Sequence, residues 1–173
     1  MEARWAFNIP SLTRKIEGVN EGHLIEVGAR PNTGKTSFHA SMIAGDNGFA
    51  RQGARCVVLC NEESVHRVGM RYLTASSNMN QYEIKDNPKV AHERYSAVKD
   101  NIKLYDSTGR DMAWVESIAK SFKPDVVILD MGDKFAKTAG FARQDEALKA
   151  NAVHARMIAK QYNCAIFYMS QLS

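Results

Sequence analysis

Five short apolar runs set the frame of this chain: Leu24–Val27, Cys56–Cys60, Ile102–Tyr105, Val126–Leu129 and Cys164–Met169. Several are unbroken rather than alternating. A strand with one wet face carries a polar residue at every second position, so unbroken runs indicate strands covered on both faces. Between the runs lie stretches with helical spacing. Met112, Val115, Ile118, Ala119 and Phe122 recur every three or four residues, with Pro124 helping to end the segment; Leu148, Ala152, Ala155, Ile158 and Tyr162 form a second stripe. Fainter helical patterns cover residues 65–75 and 90–99. Strands and helices in alternation imply an α/β fold with a mainly parallel sheet flanked by helices, because parallel neighbours need a long crossover. The 173 residues read as one domain with no internal repeat, low-complexity tract or linker.

The first run leads into Gly28-Ala29-Arg30-Pro31-Asn32-Thr33-Gly34-Lys35-Thr36, and the residues from Ser37 to Ala44 are able to continue as a helix. The Gly45-Asp46-Asn47-Gly48 cluster kinks or ends that helix. Strand, small-residue loop, Gly-Lys-Thr and helix together make the layout of a phosphate-binding P-loop. Gly34 permits the tight turn that brings backbone N–H groups up to phosphate oxygens. The helix beginning near Lys35 aims the positive end of its dipole at the same anion. Lys35 then reaches the β- and γ-phosphates, and the Thr36 hydroxyl can ligate Mg²⁺. Ala29, rather than Gly28, takes the first small position, which is the relaxed form of the pattern. The expected nucleotide-binding residues are Ala29, Arg30, Pro31, Asn32, Thr33, Gly34, Lys35, Thr36 and Ser37, with ATP and Mg²⁺ as the ligands.

Three other strand ends carry polar groups. Val126–Leu129 ends in Asp130, an acid placed to hold Mg²⁺ beside a P-loop, with Asp133 as a weaker substitute. Cys56–Cys60 ends in Asn61-Glu62-Glu63-Ser64, where a carboxylate can activate an attacking water. Glu63 suits a helix N-terminus and Glu62 suits catalysis, although the doublet leaves the choice open. The last run ends in Ser170-Gln171, and a glutamine there can sense the γ-phosphate or position water.

A net charge of +4 and a pI near 9.0 are compatible with an anionic partner without requiring one. No apolar run approaches the roughly 18 residues of a membrane span, and the N-terminus shows no signal-peptide pattern. The expected location is the cytoplasm. Cys56, Cys60 and Cys164 fall in or beside apolar runs and read as buried free thiols, and the five histidines form no metal-ligand spacing.

Taken in order, Ala29–Thr36, Asn61–Ser64, Val127–Asp130 and Met169–Leu172 resemble the motifs of the DnaB-type replicative helicases and the phage primase–helicases, whose ATPase core is RecA-like. The Ala29-Arg30-Pro31 opening and the Ser170-Gln171-Leu172 ending are the family-specific touches; the P-loop itself is generic. The resemblance covers about residues 10–173. It implies that Lys35 and Thr36 bind the triphosphate and Mg²⁺, and that Glu62 activates water. It further implies that Asp130 coordinates Mg²⁺ directly or through a water. Gln171 would couple the γ-phosphate to DNA-contacting loops. In such proteins a basic loop after the Mg²⁺ acid follows single-stranded DNA, which here points to Lys134, Lys137 and Arg143. The complete protein would form a homo-oligomeric ring, a hexamer, and meet a primase. Members of the family continue beyond the position matching Ser173 with further strands and an arginine finger. The expectation is therefore a partial domain, truncated after the fifth core strand. The Gln171 strand should lie between the Asp130 strand and the P-loop strand, leaving Leu24–Val27 at an open edge.

Two other readings remain. A related RecA-like recombination ATPase would show much the same motifs. A nucleotide-binding assembly protein would bind ATP without effective catalysis. A small P-loop kinase is less suitable, because an arginine-bearing lid and an acceptor pocket are not recognisable.

Overall fold

The computed structural model describes residues 3–136 and 144–172. Strand β1 (Trp5–Ala6) and strand β2 (Gly18–Val19) form an antiparallel ribbon around helix α1 (Pro10–Ile16). Next come β3 (Leu24–Ala29), α2 (Lys35–Ala44), β4 (Cys56–Cys60), and three successive helices, α3 (Val65–Ser77), α4 (Gln81–Asp86) and α5 (Pro88–Ser96). The chain finishes with β5 (Ile102–Asp106), α6 (Met112–Phe122), β6 (Val126–Asp130), α7 (Gln144–Gln161) and β7 (Ala165–Gln171). Strands β3 to β7 build a five-stranded parallel sheet in the order β3-β7-β6-β4-β5.

The unbroken apolar runs have the expected cause. Val126 and Ile128 join one core with Cys56, Val58, Ala165 and Phe167, while Val127 and Leu129 join another with Val57, Leu59 and Ile166. Side chains alternate across a strand, so every apolar position of β4 and β6 meets one core or the other. Helices α2 and α3 cover the first face with Met42, Ile43, Val68 and Tyr72; α6 and α7 cover the second with Val115, Ala119, Ala155 and Ile158. Each fully buried Val, Leu or Ile contributes about 1.5–3 kcal/mol. Strands β4 and β6 are thus held firmly from both faces of the sheet. Because β6 carries Asp130 at its C-terminal end, that acid rests on a rigid base.

Strand β7 does lie between β6 and β3, and β3 sits at the edge of the sheet with its residues only partly buried or exposed. Pairing of β7 with β3 continues from Leu24↔Ile166 to Ala29↔Gln171. The strand consequently extends through Ser170 and Gln171, beyond the apolar run. The helix expected over 90–99 is α5 followed by a 3₁₀ turn at Lys99–Asn101, and α4 has no counterpart in the apolar pattern. A capping box starts α4: Asn80 Oδ1 accepts from the N–H of Tyr82 and Glu83, and the Glu83 carboxylate accepts from the Asn80 N–H.

The β1–β2 ribbon is tied to the rest through Phe7, whose ring lies 5.7 Å from Phe49 and 6.2 Å from Phe167 between centroids. Asn8 adds hydrogen bonds to the carbonyls of Ser41 and Asp46, which fastens the ribbon to the C-terminal end of α2. All three cysteines are buried and free, and burial pushes the Cys60 and Cys164 thiols up to about 12. Among the described residues, no helix is long and apolar enough to cross a membrane.

Candidate active site

The C-terminal ends of β3, β4, β6 and β7 open onto one rim of the sheet, where ligands of open α/β sheets bind. The loop after β3 turns through Asn32 (φ 59°) and Gly34 (φ 95°), and α2 begins at Lys35. The Gly34 conformation is left-handed, which a Cβ would strain, and it turns the chain directly from loop to helix. Within the loop, the Thr33 hydroxyl donates to the Arg30 carbonyl at 2.6 Å. Among the described residues no side chain caps α2, so the orphan N–H groups of its first turn are available to an anion. An open cleft of about 410 Å³ lies there, lined by residues 31–37 together with Glu62, Glu63, Arg67 and Arg71. Ala29 ends β3 and Arg30 follows it, both outside that lining.

Thr36 and Asp130 come together although 94 residues separate them: the Thr36 hydroxyl is 3.1 Å from Asp130 Oδ2. The same hydroxyl is 3.3 Å from Glu63 Oε1. Asp130 is 1% exposed, and its Oδ1 is buried with no hydrogen-bond partner among the described residues. Burial alone would push the Asp130 carboxyl up. Contact with His39, then the Thr36 hydroxyl and Lys35, outweighs that and holds it below the usual carboxylate range. A carboxylate kept ionised in a buried place, with one oxygen unpartnered and a threonine hydroxyl beside it, suits a hard divalent cation such as Mg²⁺.

The acid doublet divides its contacts. Glu62 lies between two lysines, with Oε2 4.0 Å from Lys35 Nζ and Oε1 3.4 Å from Lys134 Nζ. Glu63 pairs with Arg71 at 3.3 Å as well as facing Thr36. Both acids therefore reach the P-loop, through different residues of it. Asn61 locks this strand end to the next: its N–H donates to the Asp130 carbonyl, and its side chain exchanges hydrogen bonds with the Met131 backbone at 2.7 and 3.1 Å.

Gln171 is exposed at the end of β7 beside Ala29, outside the cleft lining. Its N–H donates to Asp133 Oδ2 at 3.1 Å, so Asp133 is engaged with the β7 backbone and not with Thr36. Lys134 lies in the turn after β6 and touches Glu62. Lys137 and Arg143 fall outside the described residues.

The residues that sequence reasoning missed are Arg67, Arg71 and His39. Glu63, Arg67 and Arg71 are spaced four apart, so a helix reading carried to the cleft would have put both arginines beside the acid. His39 follows Thr36 by three positions, the same face of α2 one turn on. That it meets Asp130 is a tertiary fact.

The sequence matches the model of the DnaB-like helicase C-terminal domain over residues 6–173. The chain belongs to this family. Among solved structures it is similar to a DnaB-like replicative helicase determined for its interactions with primase, with a TM-score of 0.84 and 18% identity. It is also similar to a second solved structure, that of an ATPase domain, with a TM-score of 0.81 and 16% identity. Both matches take in 100% of this chain, which spans 44% of the first protein and 64% of the second. At these identities the structural likeness establishes the RecA-like ATPase fold. No curated protein sequence matches the chain.

Proposed function

We propose that this DnaB-like domain binds and hydrolyses ATP and serves a replicative helicase that moves along single-stranded DNA as a ring. The observation that carries the reading is the meeting of Thr36 with Asp130 at 3.1 Å behind the P-loop cleft. That pairing turns a loop motif into a site with a place for both triphosphate and cation. Backbone N–H groups at the start of α2 and the Lys35 ammonium hold the β- and γ-phosphates. Thr36 and Asp130 would hold Mg²⁺, which supplies charge neutralisation on the phosphate oxygens. Glu62 accepts a proton from the attacking water as its oxygen bonds to the γ-phosphorus, and the bond to the β–γ bridging oxygen breaks to release ADP.

The contact between Lys134 and Glu62 supports a link from DNA to this chemistry. Lys134 stands at the start of the basic segment that includes Lys137 and Arg143. A phosphate that draws Lys134 away changes the electrostatics of Glu62, so the strand would report its presence to the water-activating group. Arg67 and Arg71, on the cleft wall, add positive charge within the same chain. A primase is the partner suggested by the first solved relative.

The decisive measurement is ATP hydrolysis with and without single-stranded DNA, using Lys35→Ala as the blank. DNA-stimulated turnover that disappears in Lys35→Ala supports the proposal. Equal turnover in that variant, or no ATP binding by the unaltered chain, refutes it.

A further inference from the structure

The inner face of α2 holds a polar group that the nucleotide reading does not use. His39 is 0% exposed, and its neighbours on α2, Ala40, Met42 and Ile43, belong to the first core. Its Nε2 is 2.9 Å from Asp130 Oδ2, and its Nδ1 is 2.9 Å from the hydroxyl of Tyr72 on α3, also 0% exposed. We propose that His39 and Tyr72 are positioning residues for the metal-holding carboxylate: Tyr72 sets the imidazole tautomer, and the imidazole pins Asp130 Oδ2 and so fixes the orientation in which the carboxylate would meet Mg²⁺ or a water bound to it. This rests on the nucleotide-site reading above and extends it to residues outside the motifs.

Hydrogen-bond arithmetic gives the direction of the relay. A buried phenol needs an acceptor for its proton, and among the described residues the hydroxyl of Tyr72 bonds to His39 Nδ1. Tyr72 therefore donates to Nδ1, which leaves the ring proton on Nε2, facing Asp130. If Nδ1 carried the proton instead, the Tyr72 hydroxyl would become an acceptor and its own proton would be stranded in the core. The tautomer that satisfies Tyr72 is the one that donates to the carboxylate.

Thr36 cannot hold the acid by itself. Its hydroxyl has one proton, and Asp130 Oδ2 at 3.1 Å and Glu63 Oε1 at 3.3 Å compete for it. The imidazole is a rigid ring, closer at 2.9 Å, and fully enclosed. Two donors on one face of α2 thus converge on a single oxygen of Asp130, while the other oxygen has no partner among the described residues. The relay also joins three elements, α3 to α2 to β6. Outer partners of this kind fix the orientation of a metal ligand and are commonly worth 10–100-fold in metal affinity.

Equilibrium binding of a fluorescent N-methylanthraniloyl ADP to the whole chain, with and without Mg²⁺, tests the assignment. Tyr72→Phe removes one oxygen and keeps the ring packing; His39→Leu removes the relay. The Mg²⁺ concentration at half effect should rise about tenfold in Tyr72→Phe and further in His39→Leu, with Mg²⁺-free nucleotide affinity within about twofold of the unaltered chain. His39→Gln, whose amide nitrogen can occupy the place of Nε2, should recover most of the loss. An unchanged Mg²⁺ midpoint in Tyr72→Phe and His39→Leu, or a parallel fall in Mg²⁺-free affinity, would show that the pair only packs, and would overturn the proposal. Nucleotide binding by the unaltered chain that ignores Mg²⁺ would refute the underlying site reading, and this inference with it.

Discussion

Gly132→Ala should destabilise the protein by a margin that can be worked from one contact. A Cβ on residue 132 would lie 2.4–2.5 Å from three atoms of the Tyr168 ring. Real side chains do not approach that closely, and Tyr168 is 3% exposed on β7 within the second core, so the ring has little room to withdraw. The backbone turn must lift off the sheet instead. Overpacking of this kind costs about 1–3 kcal/mol, and a rigid ring met by backbone belongs at the upper end, about 3 kcal/mol. For a chain of this size each kcal/mol lowers Tm by about 2–4 °C, so a fall of about 6–12 °C is expected in calorimetry or circular dichroism. The same turn carries Asp133, which receives the Gln171 N–H, and Lys134, which touches Glu62. Moving it should disturb the site as well as the fold. A double-mutant cycle isolates the cause. Tyr168→Leu removes the ring, so the paired variant should be less destabilised than the sum of the singles by about 1–3 kcal/mol. A Tm for Gly132→Ala within about 1 °C of the unaltered chain, or additive single effects, would refute the reasoning.

Two further outcomes are expected. Glu62→Gln should lower kcat at least about 100-fold while ATP still binds, as loss of a general base does, whereas Glu63→Gln should act chiefly on Mg²⁺ dependence through Thr36. Steady-state kinetics with the reverse assignment would transfer the catalytic role to Glu63. The second concerns Glu116 on α6, which accepts from His154 and Tyr162 on and just after α7; these hydrogen bonds, His154 first, hold its carboxyl below the usual range. A folded value below the unfolded one contributes stability above the unfolded value, near 4.5, that is lost as pH falls through the folded value. Glu116→Gln should therefore lower Tm at pH 7, and its effect should shrink as pH falls below about 4.5; an effect that stays constant through the acid range would contradict the linkage.

Much of the site was legible because its chemistry is contiguous. Gly34, Lys35 and Thr36 are adjacent in the chain, and the roles proposed for them follow from a turn, a helix end and two side chains. Asp130 and Glu62 were legible as acids ending apolar strands, since a parallel sheet brings such ends to one rim. The β1–β2 ribbon was not legible: two residues are too few for a period, and pairing of Trp5 with Val19 depends on the helix between them. His39 and Tyr72 were equally silent, because one histidine and one tyrosine on separate helices show no spacing.

The sequence by itself determined the alternation of strand and helix, the covering of the inner strands on both faces, and the glycine turn from β3 into α2. Each is written in neighbouring residues through periodicity and backbone preference. Only the tertiary structure decided that Glu62 lies against two lysines while Glu63 faces Thr36, that Asp133 is engaged by β7, and that His39 closes on Asp130 with Tyr72 behind it. Those outcomes depend on how α2 and α3 pack on the sheet and on the register of β7 with β3. Packing and register are set by the fit of whole surfaces, which no short stretch of sequence contains.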